Sequence, residues 1–175
     1  MTYCDRDIGN TNRGGCSSSI GQSDVARLNS RYTTLSTPND HMSNLSVIHS
    51  NCQSAMNKRS EISALVDSQN PHILALTEFG ASENVGDGEL GIESYSLYRG
   101  NHSNGGGGPG KGVGLYVKDT LNHSACPVFD KVTFDSTWCT ILLSDSKRLL
   151  VGVVYRSPNS TEENNKKMID ILRIT

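Results

Sequence analysis

Three groups of residues carry side chains whose type and placement allow chemistry. The run His72-Ile73-Leu74-Ala75-Leu76-Thr77 is almost wholly apolar and leads directly into Glu78. A carboxylate delivered by a buried strand is partly desolvated and gains from a nearby cation. Capping a loop or pairing with a lysine are the plainer uses of the same residue. Asn51 stands just past a second short run, Leu45-Ser46-Val47-Ile48-His49, either as a functional amide or as an ordinary turn residue. The third group, Tyr155-Arg156-Ser157-Pro158-Asn159, leaves the run Val151-Gly152-Val153-Val154. A phenol, a guanidinium fork and an amide at one strand terminus can jointly grip a phosphate. The same Pro-Asn pair is also common turn chemistry.

The elements around these residues decide whether they meet. Leu45–His49 reads as a β-branched strand. Residues 55–69 place Ala55, Ile62, Leu65 and Val66 on one helical face, with Ser54 or Asn57 as caps and Asn70-Pro71 as the stop. Residues 72–77 then form a strand apolar on both faces. This is a βαβ unit, expected to be parallel with a right-handed crossover. Both of its strands end on one edge of the sheet, so Asn51 and Glu78 should converge on a single rim, where open α/β sheets bind ligands. Further on the pattern turns antiparallel: Tyr95 to Arg99, Gly112 to Val117, and a hairpin of Trp138–Leu143 and Leu149–Tyr155 around the polar turn 144–147. The last helix opens on a Ser160/Glu163 capping box and presents Met168, Ile171 and Leu172 on one face. The fold class is α/β with mixed strands.

Composition bounds what this framework serves. The chain has 175 residues, and its 16 Lys+Arg against 18 Asp+Glu leave a formal charge of −2. That balance argues against a strongly basic nucleic-acid arm and against an acidic tail. The longest apolar run, Leu149–Val154, is far too short to cross a bilayer. The first residues hold no apolar signal core. The expectation is an intracellular protein, nuclear or cytoplasmic, not secreted and without a membrane partner. The five cysteines, at 4, 16, 52, 126 and 139, include no CxxC pair and read as reduced thiols. Residues 1–44 contain only five branched aliphatics, Ile8, Ile20, Val25, Leu28 and Leu35. Such a segment buries too little apolar area to offset chain entropy, so it is expected to be a disordered polar leader before a domain spanning 45–175.

Some local patterns imitate sites. Gly105 to Gly112 nearly spells a phosphate-binding loop, but Gly112 stands where a hydroxyl residue belongs and a strand follows instead of a helix. It reads as a mobile connection between strands. His123 and Cys126 lack a second ligand pair for zinc, and Lys166-Lys167 reads as a solvated helix face.

The blocks Ile48-His49-Ser50-Asn51-Cys52-Gln53-Ser54, Pro71 to Glu78, Gly112 to Val117 and Val153 to Asn159 resemble, in order and spacing, those of the endonuclease/exonuclease/phosphatase superfamily. The nearest flavour is the apurinic-endonuclease-like domain at the front of non-LTR (LINE-type) retrotransposon polyproteins. The resemblance implies a four-layered α/β sandwich that cuts phosphodiester bonds in DNA with Mg²⁺. By position, Glu78 would be the metal-binding carboxylate, Asn51 would help orient the site, and Tyr155 would contact the scissile phosphate. Arg156 and Asn159 would be phosphate or DNA contacts, and a reverse transcriptase domain is expected downstream. The family pattern also has a Gly-Asp-x-Asn block and a Ser-Asp-His block, and neither follows Tyr155 here. Asn39-Asp40-His41 and Gly86-Asp87-Gly88 stand at the wrong places. The chain is therefore expected to be an incomplete sandwich, truncated before the last motifs and inactive by itself. The alternatives are a non-catalytic nucleic-acid- or nucleotide-binding module, against which the 6% aromatic content counts, and a non-functional gene remnant.

Overall fold

The computed structural model describes residues 29–36, 44–81, 84–100, 111–126, 135–143 and 147–174. In chain order the elements are β1 (Asn29–Ser36), β2 (Asn44–Asn51), α1 (Arg59–Gln69), β3 (Ile73–Thr77), α2 (Asp87–Leu90), β4 (Tyr95–Gly100), β5 (Val113–Lys118), β6 (His123–Ala125), β7 (Ser136–Leu142), β8 (Arg148–Val154) and α3 (Glu162–Ile174).

Two sheets result, one ordered β1-β2-β3-β5-β4 and the other β6-β7-β8. As the patterning predicts, β2 and β3 run parallel, with Asn51 opposite Thr77, and β7 and β8 form an antiparallel hairpin. The middle of its turn, residues 144–146, lies outside the described residues, as do the glycine-rich loop and Asn39-Asp40-His41.

Strand alternation sorts the apolar residues into three cores, and these define the layers. Leu74 and Leu76 of β3 face α1, packing with Ile48, Ile62, Leu65, Val66 and Tyr116. Ile73 and Ala75 face the other sheet, packing with Leu45, Val47, Leu115, Cys139, Ile141, Val151 and Val153. On the far side of the second sheet, Trp138 and Val154 meet Ile171 of α3, with Met168 and Leu172 beside them. The order is helix, sheet, sheet, helix: a four-layered α/β sandwich. Because β3 is buried on both faces, its continuous apolar run is what the architecture requires.

Glycines set how closely the layers approach. A Cβ on Gly152 would lie 2.1 Å from the Trp138 ring opposite it. One on Gly100, at the end of β4, would lie 2.0 Å from the Ser136 carbonyl oxygen at the start of β7. The two sheets therefore meet backbone to backbone at that end.

Three local expectations change. Residues 29–36 form β1, antiparallel to β2 from Asn29↔Asn51 to Ser36↔Asn44, inside the segment expected to be a disordered leader. Strand pairing is made by backbone groups, so an edge strand can form without the apolar content that a core strand needs. The rest of that leader lies outside the described residues. Residues 55–58 are turns, and α1 starts at Arg59 without a side-chain cap. Ser54 Oγ instead accepts the Asn57 N–H at 3.4 Å in the turn ahead. The last helix is capped one residue later than expected: Thr161 Oγ1 accepts the Asn164 N–H at 3.3 Å, while Glu163 pairs with Lys167 at 2.8 Å. The stop at Asn70 is as expected, with left-handed φ of 44° and its N–H on the Val66 carbonyl.

Candidate active site

One end of the sandwich gathers the carboxyl ends of β2, β3 and β8. The register places Asn51 against Thr77, Thr77 against Val113, and Gly100 against Val113. Ser136 pairs with Val154 on the second sheet. The contact at Gly100 closes the gap between the sheets here, so side chains leaving β3 and β8 can touch.

They do touch. The Tyr155 hydroxyl donates to Glu78 Oε1 at 2.8 Å. Tyr155 continues the inward row Val151, Val153, which explains its aim between the sheets. Burial pushes its phenol above the ordinary range, and the hydrogen bond to Glu78, the Glu78 charge and the Asp135 charge push the same way. A protonated phenol is therefore the stable form, and it can donate.

Glu78 is held by its backbone rather than left on a loose loop. It adopts φ of 52°, a left-handed conformation that glutamate rarely takes. Its neighbours Thr77 and Phe79 are both buried, and Phe79 lies over Gly114, where a Cβ would meet the ring at 2.5 Å. The exits of β2 and β3 are stitched together: Cys52 N–H donates to the Thr77 carbonyl at 3.0 Å and Ala55 N–H to the Phe79 carbonyl at 2.7 Å. On the other side, Phe79 N–H donates to Gly112 and Gly80 N–H to Lys111. The Cys52 thiol points at the Thr77 and Glu78 carbonyls, 3.5 and 3.6 Å away.

Asn51 ends β2 on the face of Leu45 and Val47, beside Thr77. Its Oδ1 is a buried acceptor with no hydrogen-bond partner among the described residues. Backbone strain clusters here too: Gln53, Ser54, Glu78 and Asp135, with φ of 53°, 125°, 52° and 46°, all border this rim. Non-glycine residues held in such conformations cost of order 1–3 kcal/mol each and concentrate at functional sites.

Of the residues singled out from the sequence, Glu78 and Tyr155 are in direct contact and Asn51 lies beside them. Arg156 and Asn159 are exposed, and the Arg156 Nε–H donates to Asn165 Oδ1 of α3 at 2.7 Å. His123, weighed above as a zinc ligand, has its Nδ1 2.6 Å from the Tyr98 hydroxyl. Among the described residues no group of three or more His, Cys, Asp or Glu gathers around one point. The sequence reading passed over Asp135, which is buried at the start of β7 and hydrogen-bonds the Tyr155 backbone. A polar residue just ahead of the Trp138 strand was the signal available for it.

No protein-family model matches the chain, and no curated protein sequence matches it. Among solved structures it is similar to the endonuclease domain of TRAS1, a telomere-specific non-LTR retrotransposon, with a TM-score of 0.54 and 13% identity. That likeness covers 74% of this chain and 54% of that one. It is also similar to the human Nocturnin catalytic domain with bound sulfate anion, with a TM-score of 0.52 and 13% identity, over 89% of this chain and 64% of that one. The chain thus spans between about half and two thirds of these structures. The fold is an α/β sandwich of the endonuclease/exonuclease/phosphatase type.

Proposed function

We propose that this chain carries the front part of a divalent-metal phosphodiesterase site that acts on DNA, in the manner of a retrotransposon endonuclease. Glu78 is its metal-binding carboxylate, Asn51 its orienting amide and Tyr155 its contact to the scissile phosphate. The observation that carries this reading is the hydrogen bond from Tyr155 to Glu78, which joins two residues the family pattern assigns to one site.

The donor set suits Mg²⁺. That ion takes one or two carboxylates plus phosphate oxygens and keeps several waters. A carboxylate offers about four lone-pair positions, so the bond from Tyr155 leaves Glu78 able to hold a cation. The buried Oδ1 of Asn51, without a partner among the described residues, is an acceptor that suits a donor such as a bound water. When bound, the ion lowers the pKa of a coordinated water and offsets charge developing on phosphorus. The protein's own part is to fix Glu78 through its braced backbone and to keep the Tyr155 phenol protonated, its one hydrogen passing from Glu78 to a phosphate oxygen when DNA binds. Arg156 and Asn159 lie beyond the rim as contacts to the DNA backbone, with Arg156 exchanging Asn165 for a stronger, charge-assisted bond to phosphate.

The residues from β1 onward form the front of the domain. A reverse transcriptase domain follows in the full-length element. The Gly-Asp-x-Asn and Ser-Asp-His blocks are not among the residues after Tyr155. Members of a cooperative site are strongly non-additive, so the 175-residue chain hydrolyses DNA on the order of 10³-fold or more slowly than a site with all its groups.

The test combines anisotropy of a labelled DNA duplex, with and without MgCl₂, and nicking of supercoiled plasmid. Binding that strengthens with Mg²⁺, is lost in Glu78→Gln and brings no nicking above background supports the reading. Binding indifferent to both Mg²⁺ and Glu78→Gln overturns the metal site. Nicking abolished by Glu78→Gln overturns the inactivity.

A further inference from the structure

Asp135 is a buried carboxylate that the site described above does not use. It is 5% exposed and holds φ of 46° at the entry to β7. Aspartate visits that left-handed conformation more readily than most residues, but burying its carboxylate costs free energy unless something nearby gains from it.

Its neighbourhood supplies a reason. The Asp135 carbonyl accepts the Tyr155 N–H at 2.9 Å, adding one backbone bond beyond the Ser136↔Val154 pair. Asp135 stands opposite Tyr155 across the hairpin, one residue beyond the Ser136↔Val154 pair, and Tyr155 is the residue that reaches Glu78. The charge of Asp135 acts on the Tyr155 phenol itself. A residue merely ending a turn would need neither burial nor this proximity.

We infer that Asp135 is a positioning residue of the rim: its carbonyl tethers the Tyr155 backbone and its carboxylate confines the Tyr155 side chain, so that the hydroxyl is directed at Glu78. The role rests on the reading of Glu78 and Tyr155 as one site.

Tyrosine labelled with ¹³C at Cζ reports on this in the whole chain by NMR. Tyr155→Phe assigns the Tyr155 signal, and Glu78→Gln establishes how far it moves when its acceptor changes. Asp135→Asn keeps a short side chain that suits a left-handed backbone and removes the charge. Asp135→Gly suits φ of 46° at no steric cost and removes the whole side chain, so it carries the test should the Asn variant fail to fold. The expected result is that both variants shift the Tyr155 signal and erase its response to Glu78→Gln, while the other tyrosine signals stay in place. A Tyr155 signal and response unchanged in both overturns the positioning role and leaves the proposed site standing. No response to Glu78→Gln in the chain with Asp135 intact overturns the role by removing the Tyr155–Glu78 pair, and places the failure in the functional reading.

Discussion

The Tyr155 hydroxyl and Glu78 Oε1 are 2.8 Å apart although the residues are separated by 77 positions in the chain. Glu78 follows β3, the central strand of one sheet, and Tyr155 follows β8, an edge strand of the other. The bond therefore bridges the two halves of the sandwich at the end where Gly100 approaches Ser136.

Removing the donor should be felt by the fold as well as by the site. Tyr155→Phe deletes a hydrogen bond to a charged group, worth about 1.5–3 kcal/mol when buried. Tyr155 is only half-buried, so a loss of about 1 kcal/mol is expected, read as a lower urea midpoint with unchanged slope. Glu78→Gln in the Tyr155→Phe background should cost much less than in the intact chain, because the interaction is already gone.

Gly100 sets the approach of the sheets that makes this bond attainable. Its added Cβ would stand 2.0 Å from the Ser136 oxygen and 2.4 Å from the Ser136 carbonyl carbon. Backbone cannot swing aside as a side chain can, so Gly100→Ala should cost about 3 kcal/mol, the upper end for overpacking. Gly88→Ala, with nothing within 4 Å of the new Cβ, should be neutral or slightly stabilising. Thermal melting of the two variants side by side checks both.

How much of this was legible in the sequence follows from which forces write into it. The strand ending at Thr77 and the face Ile62, Leu65, Val66 were readable because burial on both sides of a strand, or on one stripe of a helix, demands apolar side chains at fixed spacing. Asn51 and Glu78 followed, since parallel strands share an edge. β1 was not readable, because its pairing with β2 is made by backbone groups common to every residue. The choice of Thr161 over Ser160 as cap turns on one residue of helix start, below what spacing can resolve. Asp135 escaped for a further reason. A lone acid ahead of a strand looks like turn chemistry until the opposing strand shows that Tyr155 lies against it.

Acid should destabilise the fold through His72. Its Nδ1 accepts the Ser46 N–H at 3.1 Å and lies 2.8 Å from Ser46 Oγ, while the His72 backbone N–H donates to Ser46 Oγ at 3.0 Å. Burial, and then the Lys118 charge, hold its pKa below the ordinary 6.5. The unfolded chain therefore binds this proton at a higher pH than the folded one does. Stability from His72 is complete above about pH 6.5 and is lost as pH falls through the folded value, with a slope of at most about 1.4 kcal/mol per pH unit. His72→Asn keeps an acceptor and removes the titration, so its melting temperature should decline less between about pH 7 and about pH 5.

Thiol labelling offers a reading of motion at the rim. Burial pushes Cys52 up to about 11 and Cys139 up to about 12, so at neutral pH both are almost wholly protonated and shielded from an alkylating agent. Cys126 is only partly buried. Among these three thiols, iodoacetamide should modify Cys126 first and reach Cys52 and Cys139 only when the structure opens, as mapped by mass spectrometry. The two buried sites report different openings. Cys52 lies under Glu78, its thiol directed at the Thr77 and Glu78 carbonyls, whereas Cys139 is in the core between the sheets. If the Tyr155–Glu78 bond holds the rim shut, Tyr155→Phe should speed labelling of Cys52 several-fold more than that of Cys139. Equal acceleration at both sites would mean that the bond stabilises the sandwich as a whole and does not brace the rim in particular.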